Sequence, residues 1–385
     1  MSIIAGQAVR GKNFWNRPYL MDDIFDEIKT GGHILLVAPK RVGKTSIMFK
    51  IQDTIDNDYI VIYINTQAAQ STNEFWEKLF EQLMEEEFAN KIKNKANKFL
   101  QKLQSIKINE LSIKGVKFGN SKPISYAKAF ESLLKSIDNN KKLIIMLDEF
   151  SQAIENIINY EGVKQAEKLL TTHRDLRQNH QLSNKTVFIY AGSIGLESVV
   201  AKIQSSKHIN DLVNIDVPPL DYHDAESFVQ HLFTSNKMEI KEAEIKYILN
   251  KIEWLIPFNI QLIAQELKRL YRRSPIINPQ VVDTAIENTL KHKKDFVHWL
   301  ERLKSFGKNQ RDFSIEILNL ISINTTIEHK EIANIAKKHK LKENDAKHII
   351  NALNYDGYIQ NIDDTRTYRF NSPILKTWWY RNVAN

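Results

Sequence analysis

Residues His33 to Lys50 read HILLVAPKRVGKTSIMFK, and this stretch limits the fold more than any other part of the chain. The apolar run His33 to Val37 suits a buried strand, Ala38 to Thr45 carries the proline and glycine of a loop, and Ser46 to Lys50 spaces apolar residues as a helix does. Strand, loop and helix in that order make a phosphate-binding loop, matched here at every defining position except the first, where Ala38 stands in place of glycine. The loop N–H groups and the positive end of the new helix converge on phosphate oxygens. Ala38, Pro39, Lys40, Arg41, Val42, Gly43, Lys44, Thr45 and Ser46 are therefore the candidate phosphate-binding residues. Lys44 reaches the terminal phosphates, Thr45 holds Mg²⁺ through its hydroxyl, and Gly43 admits close approach of the backbone.

The second strong signal is a further strand, Lys142 to Leu147, which delivers Asp148 and Glu149 to its carboxyl end, where an open parallel sheet binds its ligands. Asp148 is expected to hold Mg²⁺ and Glu149 to accept a proton from the attacking water. The pair follows the loop by roughly 100 residues, as a Walker-B motif does. The strand Thr186 to Ala191 ends in Gly192 and Ser193, whose hydroxyl is placed either to sense a γ-phosphate or simply to make a turn. Arg174 and Arg177 lie three apart on the helical stretch 162–180. They read as solvated helix arginines, with an arginine finger toward a neighbouring subunit as the other reading.

The chain has 385 residues, enough for two or three domains. With 42% hydrophobic and 26% charged residues it is ordinary for a globular protein, and no apolar run is long enough for a membrane span. The start, MSIIAGQAVRGKNFWNRP, has no sustained apolar core, so a cytoplasmic protein is expected. Zero cysteines exclude disulfides and thiolate metal sites. A net charge of +8 is modest against 100 charged residues, and is as compatible with a lysine-rich solvated surface as with nucleic acid.

Leu20, Ile24 and Ile28 predict an amphipathic helix after the aromatic turn at Phe14 to Pro18, either covering a nucleotide base or only packing. Tyr59 to Asn65 is a second buried strand, and Phe75 to Phe88 a helix with Trp76, Leu79, Leu83 and Phe88 inward. Residues 91–122 hold nine lysines against the single acid Glu110, and read as a basic insertion, more simply a solvated flap than a nucleic-acid contact. From Asp221 onward helices follow, with Pro257 and Phe258 opening one of them. Beyond about residue 310, three helices and a hairpin around Asp363 and Asp364 predict a winged helix. Acids at the start of its third helix, Glu343 and Asp345, favour a protein contact over DNA.

Taken together these residues resemble the archaeal-type STAND ATPases, a P-loop branch close to the AAA+ origin-recognition ATPases. The resemblance rests on Phe14 with Arg17, Ala38 to Ser46, Leu147 to Glu149, Ala191 to Gly195, Pro257 with Phe258, and Phe370 to Trp379. The chain departs from it at Ala38 and at Asn16, each in place of a glycine. It implies an α/β P-loop NTPase parallel sheet of AAA+/STAND type, then a helical lid and a C-terminal winged-helix domain, divided at 1–217, 218–305 and 306–385. It also implies ATP and Mg²⁺ as ligands, Lys44, Glu149 and Ser193 in hydrolysis, and Arg17 and Pro257 near the nucleotide. The function expected is an ATP-driven switch acting with a protein partner in defence or stress signalling, with self-association open. Two readings stand beside it, a DNA-associated ATPase and a nucleotide-gated scaffold with little hydrolysis.

Overall fold

The structure of the chain, a computed structural model, describes residues 1–85, 125–136, 141–183, 185–193, 195–362 and 365–385. The basic insertion 91–122, Phe88, Ile194 and the wing-tip pair Asp363 and Asp364 lie outside the described residues. Its contacts divide the chain into two compact units. One comprises Arg17–Val37 and Ile51–Asp216, the other Met1–Asn16, Ala38–Lys50 and Val217–Asn385.

The first unit is an α/β layer structure. In chain order come α1 (Pro18–Thr30), β1 (Ile34–Val37), α2 (Lys44–Thr54, begun in the other unit), β2 (Tyr59–Asn65), α3 (Thr72–Glu85), α4 (Tyr126–Ser136) and β3 (Lys142–Asp148). α5 (Phe150–Glu161), α6 (Val163–Arg177), β4 (Thr186–Ala191), α7 (Leu196–Lys202) and β5 (Val213–Asp216) complete it. The strands form one five-stranded sheet in the order β2-β3-β4-β1-β5, with every pairing parallel. Parallel strands buried on both faces need near-continuous apolar runs, and β3 and β4 supply them, with Leu143 to Leu147 and Val187 to Ala191 all buried. Phe75, Trp76, Leu79, Phe80 and Leu83 of α3 join that core, as expected of the helix that follows β2. On α1 the buried stripe is Met21, Ile24 and Ile28, so Met21 rather than Leu20 fills the first position.

The second unit is helical. α8 (Tyr222–Ser235), α9 (Glu242–Ile252), α10 (Pro257–Tyr271), α11 (Pro279–Lys291) and α12 (Val297–Leu303) precede α13 (Lys308–Asn324), β6 (Thr326–Glu328), α14 (His329–Lys338) and α15 (Glu343–Tyr355). β7 (Ile359–Asn361), β8 (Thr367–Phe370) and α16 (Pro373–Trp379) close the chain. The last part holds the three helices and the hairpin expected there, with one more strand than the sequence suggested. β6 joins the hairpin in an antiparallel sheet ordered β6-β8-β7. Trp378 and Trp379 are buried, at 1% and 0% exposed, so they are core.

Candidate functional site

The predicted residues fall into two clusters, one in each unit. In the sheet unit, β3 ends at Asp148, 2% exposed. Its Oδ2 accepts a hydrogen bond from the Tyr63 hydroxyl of β2 at 2.8 Å, and its Oδ1 accepts from the Glu149 N–H at 3.0 Å. Its carbonyl accepts from both the N–H and the hydroxyl of Thr66, each at 2.9 Å. Burial and the adjoining carboxylate raise the Tyr63 phenol well above its ordinary pKa, so it stays a donor.

Glu149 takes φ 56° and ψ 31°, the left-handed region that a non-glycine residue enters at a cost. That turn stops the strand and starts α5, with the Ala153 N–H donating to the Glu149 carbonyl at 3.1 Å. The carboxylate is aimed across to β4, where Oε2 accepts from the Ser193 N–H at 2.9 Å and from its hydroxyl at 2.6 Å. Ser193, expected as a γ-phosphate sensor or a turn residue, here orients the predicted base. Arg17 is half-buried at the N-cap of α1 in the same unit.

Arg177 differs from both readings of the sequence. It is 4% exposed, and its guanidinium donates to Asp211 twice at 2.7 Å, to the Tyr190 hydroxyl at 3.0 Å and to the His208 carbonyl at 2.6 Å. It is neither solvated nor presented outward as a finger, because it ties the end of α6 to the core. Arg174 is half-buried.

The loop cluster belongs to the helical unit. Ala38 and Val42 are buried, so the methyl group in place of the usual glycine is accommodated in packing. Arg41 has φ 71° and Gly43 φ 112°. A Cβ on Gly43 would meet nothing within 4 Å, so it is the backbone angle that calls for glycine. The first turn of α2 closes with the Ile47 N–H on the Gly43 carbonyl at 3.0 Å. The Lys44 ammonium, 7% exposed, donates to the Ala38 carbonyl at 2.6 Å and the Pro39 carbonyl at 2.8 Å, spanning the loop it would serve. Thr45 lies half-buried beside it, and Ser46 accepts from the Val9 N–H at 3.0 Å.

The N-terminal segment and α10 frame this loop. The Arg41 guanidinium donates to the Gly6 carbonyl at 3.1 Å and stacks 4.6 Å from the ring centre of Phe258, next to Pro257 at the first position of α10. Burial lowers the Arg41 pKa. His298 of α12 is pushed down to about 3, by burial and then by the positive charges of Arg41 and Lys40. Neither of its ring nitrogens has a hydrogen-bond partner among the described residues. Tyr63 and His298 escaped the sequence reading because one sits inside an apolar strand run and the other on a short helix without periodicity.

A buried carboxylate held by two donors and a threonine hydroxyl are hard oxygen ligands, the chemistry Mg²⁺ requires. Among the described residues no helix is long and apolar enough to cross a membrane.

No family model matches the sequence, and no curated protein does. Solved structures do. The Walker-type ATPase of Pyrococcus abyssi matches with a TM-score of 0.67 at 18% identity, over 98% of this chain and 99% of that one. The Aeropyrum pernix ORC2 protein, solved in ADPNP–ADP complexes, matches with a TM-score of 0.56 at 12% identity, over 97% and 96%. The chain therefore has the fold of the archaeal Walker-type, AAA+-like P-loop ATPases.

Proposed function

We propose that this chain binds ATP with Mg²⁺ and hydrolyses it, working as a nucleotide-driven switch on a protein partner. One observation carries the reading. All strands of the sheet run parallel, so β1, whose last residue leads into the loop at Ala38, ends on the same edge as β3, whose last residue is Asp148. A phosphate-binding loop and a pair of acids leave the sheet on one side.

In this reading the N–H groups of Ala38 to Ser46 and the Lys44 ammonium bind the phosphates, and Arg17 and Pro257 lie near the nucleotide. Thr45 and Asp148 would hold Mg²⁺, which when bound neutralises charge on the phosphate oxygens. Glu149 accepts the proton of the attacking water, and Ser193 fixes where its carboxylate points. The fit of the acids supports the assignment. Asp148 has both oxygens engaged by donors, and Glu149 is oriented through its Oε2.

The switch part rests on contacts inside the helical unit. A Cβ on Gly357, at the turn between α15 and β7, would lie 3.1 Å from the Pro39 Cβ and 2.6 Å from the Trp254 ring. The winged helix therefore abuts the phosphate loop itself, and a rearranged loop would be felt there. We read the chain as core 1–217, lid 218–305 and winged helix 306–385, cytoplasmic, with defence or stress signalling as its setting. Exposed Glu343 at the start of α15 opposes a phosphate backbone, so the partner is taken as protein rather than DNA.

Thermal unfolding with and without ATP tests the reading. Saturating ATP at 100 times its Kd should stabilise the protein by about 2.7 kcal/mol, and Lys44→Ala should abolish the effect. Equal stabilisation of the variant would remove the loop from nucleotide binding.

A further inference from the structure

We propose that Tyr63 is a positioning residue for Mg²⁺ binding: its hydroxyl sets the orientation of the Asp148 carboxylate. The inference rests on the reading of Asp148 as a metal ligand, and adds a residue that neither motif contains.

The geometry comes from the sheet. β2 and β3 pair in parallel with Tyr63 beside Met146 and Asn65 beside Asp148, so Tyr63 stands two residues short of the strand end. A phenol has the reach to cross that gap, and its hydroxyl donates to Asp148 Oδ2 at 2.8 Å. The other oxygen accepts from the Glu149 N–H at 3.0 Å. Oδ1 is thus tied to the backbone of the next residue, whereas Oδ2 depends on a side chain from a neighbouring strand. A carboxylate carries about four lone-pair positions, enough to accept these two donors and still offer an oxygen to a metal or a metal-bound water. Two donors on opposite oxygens also stop rotation about the Cβ–Cγ bond. Outer-shell partners of this kind commonly contribute tenfold to a hundredfold in metal affinity.

Tyr63→Phe deletes this donor and keeps the ring. The experiment titrates Mg²⁺ against the full chain with a non-hydrolysable ATP analogue, following the melting temperature, and repeats the analogue measurement in EDTA. The proposal expects the Mg²⁺ concentration for half-maximal stabilisation to rise about tenfold or more in Tyr63→Phe, with metal-free analogue binding unchanged. A purely structural role for Tyr63 would weaken both. In an Asp148→Asn background, adding Tyr63→Phe should change the Mg²⁺ dependence no further, since the two act through one group. An unaltered Mg²⁺ midpoint in Tyr63→Phe overturns the proposal, as does an equal loss of metal-free binding. A wild-type chain whose analogue binding ignores Mg²⁺ overturns the reading beneath it, and the proposal with it.

Discussion

Glu149 meets two opposing demands at one residue. Its left-handed backbone carries strain of order 1–3 kcal/mol, and its side chain is fixed by two donors from Ser193. Glu149→Gln keeps the shape and can still accept from Ser193, but it cannot take a proton. ATP should bind as in the wild type while turnover falls by about 10²-fold or more, and a phosphate-release assay beside a binding isotherm separates the two. His33 shows the same dependence on protonation in a structural role. Its Nδ1 accepts from the Phe188 N–H at 3.1 Å, and its Nε2 lies 3.3 Å from the Arg177 carbonyl, an arrangement only the neutral ring can make with both. Burial pushes its pKa down to about 4 from 6.5, with the Arg177 charge acting the same way. The unfolded chain therefore binds the proton first, and the stability due to His33 is whole above pH 6.5 and drains away as pH falls toward 4. A shift of that size corresponds to about 3 kcal/mol. Urea unfolding at pH 7 and at pH 4.5 should show the loss, and His33→Gln should flatten the difference.

Among the elements, the strands were readable from residue type alone. Continuous apolar runs of β-branched residues can hide both faces only in a covered parallel sheet, and β3 and β4 follow that rule, whereas β2, expected as a buried strand, lies at the sheet edge and is only half-buried. The helices with clear four-residue periodicity were equally legible. α5 and α12 were not. α5 starts directly from the strained Glu149, with no loop to announce it, and α12 has only seven residues. β6 has three residues and exists because β8 offers it an edge, a tertiary cause that no local pattern carries. Charge misled in one place: Arg177 reads as a surface residue, but Asp211 and Tyr190, distant in sequence, complete its burial. Removing one member of a buried ion pair is costly, so Arg177→Ala should lower the stability of the sheet unit by about 3 kcal/mol, measurable as a shifted urea midpoint. The candidate site divides in the same way. The loop and the two acids are short motifs with fixed spacing, whereas the partners of the acids, Tyr63 on β2 and Ser193 just past β4, come from elsewhere in the sheet unit.

Over the whole molecule, the chain passes between its two units four times, at Asn16, Val37, Lys50 and Asp216. The loop that would bind phosphate thus shares its unit with α13 to α16 and not with the acids. Buried partners knit that unit together. Arg302 donates to Asp356 at 2.8 Å, the Tyr358 hydroxyl donates to the Trp299 carbonyl, and the Trp254 and Trp299 rings lie 6.3 Å apart. Gly357, with φ 86°, tolerates no side chain beside Trp254. Gly357→Ala should destabilise the helical unit by about 1–3 kcal/mol, reported by tryptophan fluorescence.

The close approach of Gly357 to Pro39 also offers a handle. The chain contains no thiol, so Pro39→Cys would give it a single sulfur on the loop, facing a turn that has no room for a side chain of its own. A bulky reagent joined to that sulfur would wedge the turn away, and reduction of the join would let it return. A chemist could then part the two at will, and ask whether nucleotide binding feels the difference.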